Sequence, residues 1–267
     1  KRKKLKRNYV KYTSGAILTG LILFPSCQST REVQANYEVA QIEGTRICMD
    51  STWDAHPDEK AAVLLKPYKE KIDKMMYEVI GVSEMTMDKG RPESLLSNLV
   101  AEVLRLSAER VLKHPADIGI MNMGGLRNIL PQGDITVDAV FEILPLCVLT
   151  MKGTEIKRLM EVIASLHGEG LSGAHLEITK DGKLLKATVQ GKEIEDDKDY
   201  TVATIDYLAD GNDGLTPFVN ADKRECPDGL TLRGLFLDYV RQQTAAGKKI
   251  TSKLDGRITV VPASDRK

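Results

Sequence analysis

A short apolar run opens directly into two glycines and an arginine, and this junction constrains the fold of the chain most strongly. Residues 117–121 read Asp-Ile-Gly-Ile-Met, a pattern typical of a buried strand. Gly124 and Gly125 let the backbone turn sharply and leave room for a ligand to reach main-chain N–H groups. Arg127 then supplies a permanent charge that can hold a phosphate through two hydrogen bonds. The junction predicts an anion-binding turn, and the alternative is an ordinary turn with a solvated arginine.

The charge balance limits the classes of partner. The 267 residues suffice for a substantial core, and they include 38 basic and 38 acidic side chains, so the formal net charge is zero. A neutral chain gives no support for a nucleic-acid partner attracted by bulk charge. The aromatic content of 5% also argues against a stacking platform for single strands. We therefore predict no nucleic-acid partner.

The N-terminal segment is typical of a bacterial lipoprotein signal. Residues 1–7 are basic, residues 15–24 are apolar, and a small residue, Ser26, precedes Cys27. This order predicts a signal peptide over residues 1–27 and lipidation of Cys27. The apolar run is short for a membrane span, and an uncleaved anchor is the alternative. Either interpretation predicts a protein of the cell envelope that faces the periplasm or the cell surface, with a tether over residues 28–42 and a folded domain over residues 43–267.

The remaining cysteines predict at most one disulfide. Cys48, Cys147 and Cys226 lack CxxC spacing, so a zinc site is not expected. An odd number of cysteines in an oxidising compartment permits one bridge and leaves one thiol. Cys147 lies in an apolar run, which predicts a buried thiol. A bridge between Cys48 and Cys226 is compatible with the pattern.

Apolar positions at helical spacing predict five helices. The helices are expected over or from residues 58–79, Ser94, residues 139–144, Thr154 and Thr231. Ser94 and Thr154 are predicted N-caps, and Pro67 is expected to interrupt the first helix. The first helix carries a regular apolar face that is predicted to pack in the core. Its members are Leu65, Tyr68, Ile72, Met75 and Val79.

Alternating and apolar runs predict a sheet-rich remainder. Strands are expected over residues 44–50, 81–87, 117–121, 147–151, 175–179, 184–189, 200–205 and 257–261. Gly168, Gly170 and Gly173 predict a flexible loop. Because strands and helices mix without a strict βαβ repeat, the predicted fold class is α/β, a mixed α+β sandwich.

An ordered set of segments accompanies the Gly-Gly-Leu-Arg junction. The set comprises residues 122–127, 133–141, 144–145, 152–157 and 200–214. From about residue 78 onwards this set resembles the C-terminal domain of the 5′-nucleotidase family, which includes UDP-sugar hydrolases and cyclic-nucleotide phosphodiesterases. The resemblance implies a 5′-nucleotidase C-terminal-like fold that binds a nucleotide or nucleotide-sugar for nucleotide catabolism. It also implies that an N-terminal domain of the family holds two metals and hydrolyses the phosphate.

The resemblance also implies roles for individual residues. Arg127 would bind phosphate, and so would Arg91, just before residues 93–99, which match the family pattern Glu-Ser-x-Leu-Gly-Asn-Leu with one serine for glycine. Tyr207 falls where an aromatic ring stacks on the base, and Asp213 where a carboxylate accepts from ribose hydroxyls. The alternatives are a solvated Arg91, a core Tyr207 and a turn residue at Asp213. The predicted substrate-binding set is Arg91, Asn122, Gly124, Gly125, Arg127, Tyr207 and Asp213.

Two departures from the family pattern shape the functional hypotheses. Pro145 runs directly into Leu146 where the family writes Pro-Phe-x-Asn, so the second aromatic of the base clamp has no counterpart. Losing one stacking face should weaken base binding by about 1–3 kcal/mol. The four histidines also lie in no Asp-x-His or Gly-Asn-His motif, so we predict no catalytic residue, metal or cofactor in this chain.

Three hypotheses follow for the function. The chain is the recognition half of a split 5′-nucleotidase whose divalent metals and chemistry reside in a separately encoded metallophosphatase subunit, with the membrane contacted through the lipid anchor. Alternatively, it is a non-catalytic nucleotide-binding lipoprotein, or a degenerate structural lipoprotein.

Overall fold

The computed structural model of the chain describes residues 44–46, 58–140 and 144–262. Contacts divide the chain into residues 1–56 and residues 57–267, and every helix and strand below belongs to the second unit. The predicted signal peptide, Cys27, the tether and Cys48 lie outside the described residues. The strand predicted over residues 44–50 is described only at residues 44–46, which are exposed and form no regular element.

Helices and strands mix along the described chain. The helices are α1 (Glu59–Met76), α2 (Leu95–Ser107), α3 (Glu109–Leu112), α4 (Gly153–Ser165), α5 (Asp206–Ala209) and α6 (Leu232–Ala245). The strands are β1 (Val79–Ser83), β2 (Ile118–Met121), β3 (Gly133–Thr136), β4 (Leu146–Lys152), β5 (Gly170–Ser172), β6 (Ala174–Thr179), β7 (Leu184–Val189), β8 (Lys192–Glu193), β9 (Asp199–Ile205), β10 (Lys223–Glu225) and β11 (Ile258–Val261). Short 3-10 turns lie at Met123–Gly125, Val137–Ala139, Asn212–Gly214 and Thr216–Asn220.

The largest sheet has the strand order β10-β4-β9-β2-β5. β2 runs parallel to β9, with Ile118 opposite Val202, whereas β5 runs antiparallel to β2. All four residues of β2 are buried, and helix α2 packs against the strand. A second sheet has the order β11-β6-β7-β8, and β1 pairs with β3. The predicted mixed α/β class is therefore confirmed.

Several predicted elements are found where the sequence places them. Strands predicted over residues 117–121, 147–151, 175–179, 184–189, 200–205 and 257–261 correspond to β2, β4, β6, β7, β9 and β11. Ser94 caps α2 by accepting from the backbone N–H of Ser97. Thr231 likewise caps α6 through the backbone N–H of Gly234. These elements were predictable because their signals are local.

The prediction for the first helix was wrong about burial. Helix α1 continues through Pro67 without interruption and has no buried residue. Leu65 is 58% exposed and Tyr68 is 65% exposed. Two residues after the helix, the carbonyl of Glu78 accepts a hydrogen bond from the backbone N–H of Val137. Periodicity revealed an apolar face correctly, but it carries no information on what covers that face.

Two predicted elements were placed wrongly along the chain. The strand expected over residues 81–87 begins earlier, as β1 (Val79–Ser83). The short helix expected over residues 139–144 is a 3-10 turn at Val137–Ala139, and residues 141–143 lie outside the described chain.

Two predictions at helix ends and loops were also wrong. Thr154 does not cap α4, because the helix begins at Gly153 and the carbonyls of Lys198 and Asp196 accept from the first two N–H groups. The loop predicted to be flexible contains β5 (Gly170–Ser172), which is fully buried against β2. Non-local backbone pairing decided both cases.

Cys147 is buried as predicted, but the expectation of a free thiol there was wrong. Cys147 is bonded to Cys226 rather than being a free thiol. The sheet register explains the pair: β10 runs antiparallel to β4 with Glu225 opposite Val148, so Cys226, the residue after β10, falls opposite Cys147. The bridge closes a long loop, since 79 positions separate the two cysteines.

Removing this bridge should destabilise the fold. We expect Cys226→Ser to lower the free energy of unfolding by about 2–4 kcal/mol, because the unfolded chain regains the freedom of a long loop. Urea unfolding followed by circular dichroism measures the change, and reduction of the wild-type chain is the matched control. Unchanged stability in both samples would contradict the pairing.

Candidate functional site

The ends of two parallel strands frame a cavity. Asn122 follows β2 and Tyr207 follows β9, and both strands end at the same edge of the sheet. The cavity encloses about 310 Å³. Its lining residues are Asn122, Gly124, Gly125, Arg127, Leu144, Ile205, Tyr207 and Asp213. Six of the seven predicted substrate-binding residues thus share one cavity, and Arg91 is not among its lining residues.

Asp213 is held from two sides within this cavity. Its Oδ2 accepts from Asn122 Nδ2 at 2.5 Å, and its Oδ1 accepts from the Tyr207 hydroxyl at 2.8 Å. The backbone of Asp213 has a φ of 54°, in the left-handed region that aspartate tolerates better than most residues. Because each carboxylate oxygen has two lone pairs, Asp213 can still accept further hydrogen bonds from a ligand.

Tyr207 presents its ring at the surface. The residue is 43% exposed, so core packing does not account for it. Asn212 Nδ2 donates to the Tyr207 carbonyl at 2.8 Å and ties the two ends of this loop together. The hydrogen bond to Asp213 raises the pKa of the Tyr207 phenol, and partial burial adds to the shift. The ring is therefore oriented by its hydroxyl while leaving area for stacking.

Space rather than backbone conformation requires the second of the two glycines, Gly125. The backbone turns at Met123–Gly125 as predicted, but neither Gly124 nor Gly125 has a left-handed φ. A Cβ on Gly125 would lie 2.4 Å from Met121 Cε and 2.7 Å from Asn122 Oδ1. A Cβ on Gly124 would make ordinary contacts, 3.4 Å from Asn122 Nδ2 and 3.5 Å from Asp213 Oδ2. The first glycine leaves the cavity open, and the second lets the turn pack against its own strand.

Charge inside the cavity is divided between two side chains. Among the described lining residues, Arg127 carries the positive charge and Asp213 the negative charge. Arg127 follows the Met123–Gly125 turn and also borders a neighbouring apolar cavity with Leu126 and Phe236. The arrangement suits a ligand with an anionic group at one end and hydroxyl donors at the other.

A buried carboxylate that was not predicted from the sequence contacts the Met123–Gly125 turn. Glu169 accepts from the backbone N–H of Met123 with one oxygen and from the Arg91 guanidinium with the other. Arg91 Nε also donates to the Gly168 carbonyl at 2.7 Å. Only 3% of the Glu169 side chain is exposed, and this burial raises the pKa of its carboxyl despite the opposing contacts with Met123 and Arg91. The sequence signal for this site is an acidic residue between Gly168 and Gly170, whereas the prediction of a flexible loop rested on the glycines alone.

Comparison with known proteins decides the family. The family model described as "5'-nucleotidase, C-terminal domain" matches residues 75–220, more than half of the chain. The chain belongs to this family. The chain therefore has the fold of a 5′-nucleotidase C-terminal domain. It is a substrate-binding domain of a nucleotide-hydrolase family. Members of this family usually pair such a domain with an N-terminal metallophosphatase domain.

Three relatives illustrate the match of this 5′-nucleotidase C-terminal domain. Protein UshA of Yersinia enterocolitica is 30% identical over 189 residues, which cover 66% of this chain and 34% of that protein. The crystal structure of the 5′-nucleotidase precursor from Thermus thermophilus is 25% identical with a TM-score of 0.64, covering 78% of this chain and 44% of that one. The structure of Haemophilus influenzae NAD nucleotidase, 19% identical, has a TM-score of 0.59 over 78% of this chain and 42% of that one, and shares the fold. The chain thus spans about a third of the first relative and less than half of the other two.

The described part of this 5′-nucleotidase C-terminal domain contains neither a metal-binding cluster nor a membrane-spanning helix. Within residues 44–46, 58–140 and 144–262, no cluster of three or more histidine, cysteine, aspartate or glutamate side chains could hold a metal ion. In the same ranges no helix combines the length and apolar character needed to cross a membrane.

The two glycines should respond differently to a methyl group. We expect Gly125→Ala to lower the free energy of unfolding by about 1–3 kcal/mol, because Met121 is fully buried and Asn122 is held by Asp213. Gly124→Ala should change stability by less than about 0.5 kcal/mol while narrowing the cavity. Urea unfolding of both variants measures the difference. Equal destabilisation by the two substitutions would show that the packing around Gly125 is not the constraint described.

Proposed function

We propose that this domain is the substrate-recognition half of a 5′-nucleotidase-type phosphoester hydrolase, and that a separately encoded metallophosphatase subunit supplies the chemistry. The proposed ligand is a nucleotide or nucleotide-sugar. The observation that carries the proposal is the single cavity in which Arg127, Tyr207 and Asp213 face one another at the carboxyl ends of β2 and β9. Its role would lie in nucleotide catabolism.

Each part of a nucleotide has a matching group in the cavity. The Arg127 guanidinium would hold phosphate oxygens through charge-assisted hydrogen bonds. Asp213 would accept from ribose hydroxyls, since Asn122 and Tyr207 already fix its orientation. The exposed face of the Tyr207 ring would stack on the base. Leu144 and Ile205 supply apolar wall beside it.

The base would be stacked on one side only. Among the described lining residues Tyr207 is the aromatic, and Leu146 follows Pro145 where the family pattern has its second ring. A single stacking face lowers the expected affinity for the base by about 1–3 kcal/mol compared with a two-ring clamp. Affinity would therefore depend more on the phosphate and ribose contacts than on the base.

The location and the partner belong to the same proposal. The basic, apolar and Ser26-Cys27 pattern supports a lipid-anchored protein of the cell envelope, facing the periplasm or the cell surface. The scarcity of histidines, none of them in a metal-binding motif, supports a separate subunit as the source of divalent metals. The metallophosphatase subunit would bring its metals to the phosphate that Arg127 holds.

Hydrolysis measured with and without the partner tests the proposal. Phosphate release from AMP and from UDP-glucose should require both the chain and a metallophosphatase encoded beside it, in the presence of divalent metal. Arg127→Ala should abolish the partner-dependent turnover. Nucleotide binding without any partner-dependent hydrolysis would favour a non-catalytic binding lipoprotein. Hydrolysis by the partner that is indifferent to this chain would contradict the proposal.

Arg127 should contribute to binding only where a phosphate is present. We expect Arg127→Ala to weaken AMP binding by about 10–100-fold, the loss of a hydrogen-bonded charge, and to leave adenosine binding unchanged. Isothermal titration calorimetry with both ligands measures this. Arg110→Ala is the matched control, because Arg110 pairs with Asp238 at 2.7 Å and does not line the cavity. An equal loss of adenosine affinity in the Arg127 variant would exclude a phosphate-specific role.

The ring and the hydroxyl of Tyr207 should be separable. Tyr207→Leu removes both and should weaken AMP binding by about 1–3 kcal/mol. Tyr207→Phe keeps the stacking face and loses only the hydrogen bond to Asp213, so we expect a smaller loss of about 0.5–1.5 kcal/mol. The same calorimetric titration compares the two variants. If Phe and Leu have identical effects, stacking on Tyr207 does not contribute.

A further inference from the structure

We propose that Glu169 is a positioning residue of the nucleotide site, and that Arg91 acts through Glu169 rather than on the substrate. This inference rests on the proposed function, since the site it serves is the one assigned to the nucleotide. Glu169 holds the backbone of Met123, the residue between Asn122 and Gly124, both of which line the cavity.

The register between β5 and β2 places the Glu169 carboxylate next to the backbone of Met123. β5 runs antiparallel to β2 with Gly170 opposite Met121, so the preceding residue, Glu169, comes opposite Asn122 at the point where β2 ends. Its side chain then reaches the next N–H along the turn, that of Met123. That N–H begins the Met123–Gly125 turn, and a carboxylate is a strong acceptor for it.

Contacts with Arg91 hold the Glu169 carboxylate in place. Gly168 packs so closely on Pro92 that a Cβ there would lie 2.2 Å from the Pro92 carbonyl oxygen. This contact brings the neighbouring Arg91 to the same place, where its guanidinium donates to Glu169 and to the Gly168 carbonyl. Arg91 is therefore paired with Glu169 and does not line the cavity, and its charge balances that of the buried carboxylate.

Asn122 links the contact between Glu169 and Met123 to the cavity. Met123 is directly joined to Asn122, and Asn122 Nδ2 donates to the carboxylate of Asp213. Displacement of the Met123 backbone would therefore move Asn122 and loosen one of the two contacts that orient Asp213. The ribose side of the site is the part that Glu169 positions, so its loss should affect nucleotides and nucleosides alike.

Burial opposes a negative charge on Glu169. Burial raises the pKa of the Glu169 carboxyl from its ordinary value even with two donors present. The folded protein therefore binds this proton more tightly than the unfolded chain does, and the associated stability is lost as the pH rises through the raised pKa. The Met123 N–H and the Arg91 guanidinium act against this burial and lower the pKa of the carboxyl, and the contact with Met123 is the one that orders the turn.

Calorimetry with AMP and with adenosine tests the inference. We expect Glu169→Ala and Arg91→Ala to weaken both ligands to the same degree, by roughly tenfold, the cost of a hydrogen bond to a charged group. Glu169→Gln keeps an acceptor for Met123 and should restore part of the loss. The matched control is Glu102→Gln, because Glu102 pairs with Arg105 and Ser172 at the other end of β5. An Arg91 variant that loses AMP affinity alone would overturn the inference and make Arg91 a phosphate ligand.

Nuclear magnetic resonance of the ligand-free protein separates this inference from the proposed function. In Glu169→Gln and Glu169→Ala, the Met123 backbone amide and the Asn122 side-chain amide should shift upfield, while amides of α4 and α6 stay unchanged. If the wild-type protein binds neither ligand, the proposed function fails, and these spectra alone decide the positioning role. Unmoved Met123 and Asn122 signals, or an effect on affinity no larger than that of Glu102→Gln, would overturn it.

Discussion

The parallel pairing of β2 with β9 is the constraint on which the remaining structure depends. Ile118 lies opposite Val202, and the buried Thr204 hydroxyl donates to the Ile120 carbonyl at 3.0 Å. Two strands distant in sequence therefore end side by side at one edge of the sheet. Asn122 leaves one strand and Tyr207 the other, and the cavity lies between them. A shift in this register would separate the residues of the site without changing any of them.

A second pairing adds order to that edge. Antiparallel β5 places a buried carboxylate, Glu169, behind the turn after β2, and Arg91 balances its charge. Asp213 lies beside Gly124 of the same turn and is held by Asn122 and Tyr207. Two carboxylates thus lie next to the Met123–Gly125 turn. Glu169 is buried and contacts protein groups, whereas Asp213 lines the cavity and can contact a ligand. Pre-organised acceptors of this kind bind without first losing conformational freedom.

Local signals in the sequence predicted much of this, and non-local pairing accounts for the rest. The apolar runs, the Ser94 cap of α2 and the start of α6 at Thr231 were predicted correctly, because periodicity and N-caps act over a few residues. The resemblance to a family supplied the residues of the cavity. The bond between Cys147 and Cys226, the burial of Glu169 and the exposed face of α1 depend on which strands and surfaces meet, and a single sequence does not contain that information in local form.

Chemical-shift mapping with AMP tests the central claim most directly. On titration into the isotopically labelled chain, saturable shifts should cluster at the amides of residues 123–127 and 207–213, on both sides of the cavity. Such a pattern would show that the edge formed by β2 and β9 receives the nucleotide. Saturable shifts confined to another surface, such as the groove lined by Leu106, Arg110 and Tyr239, or no shifts at millimolar ligand, would contradict the account.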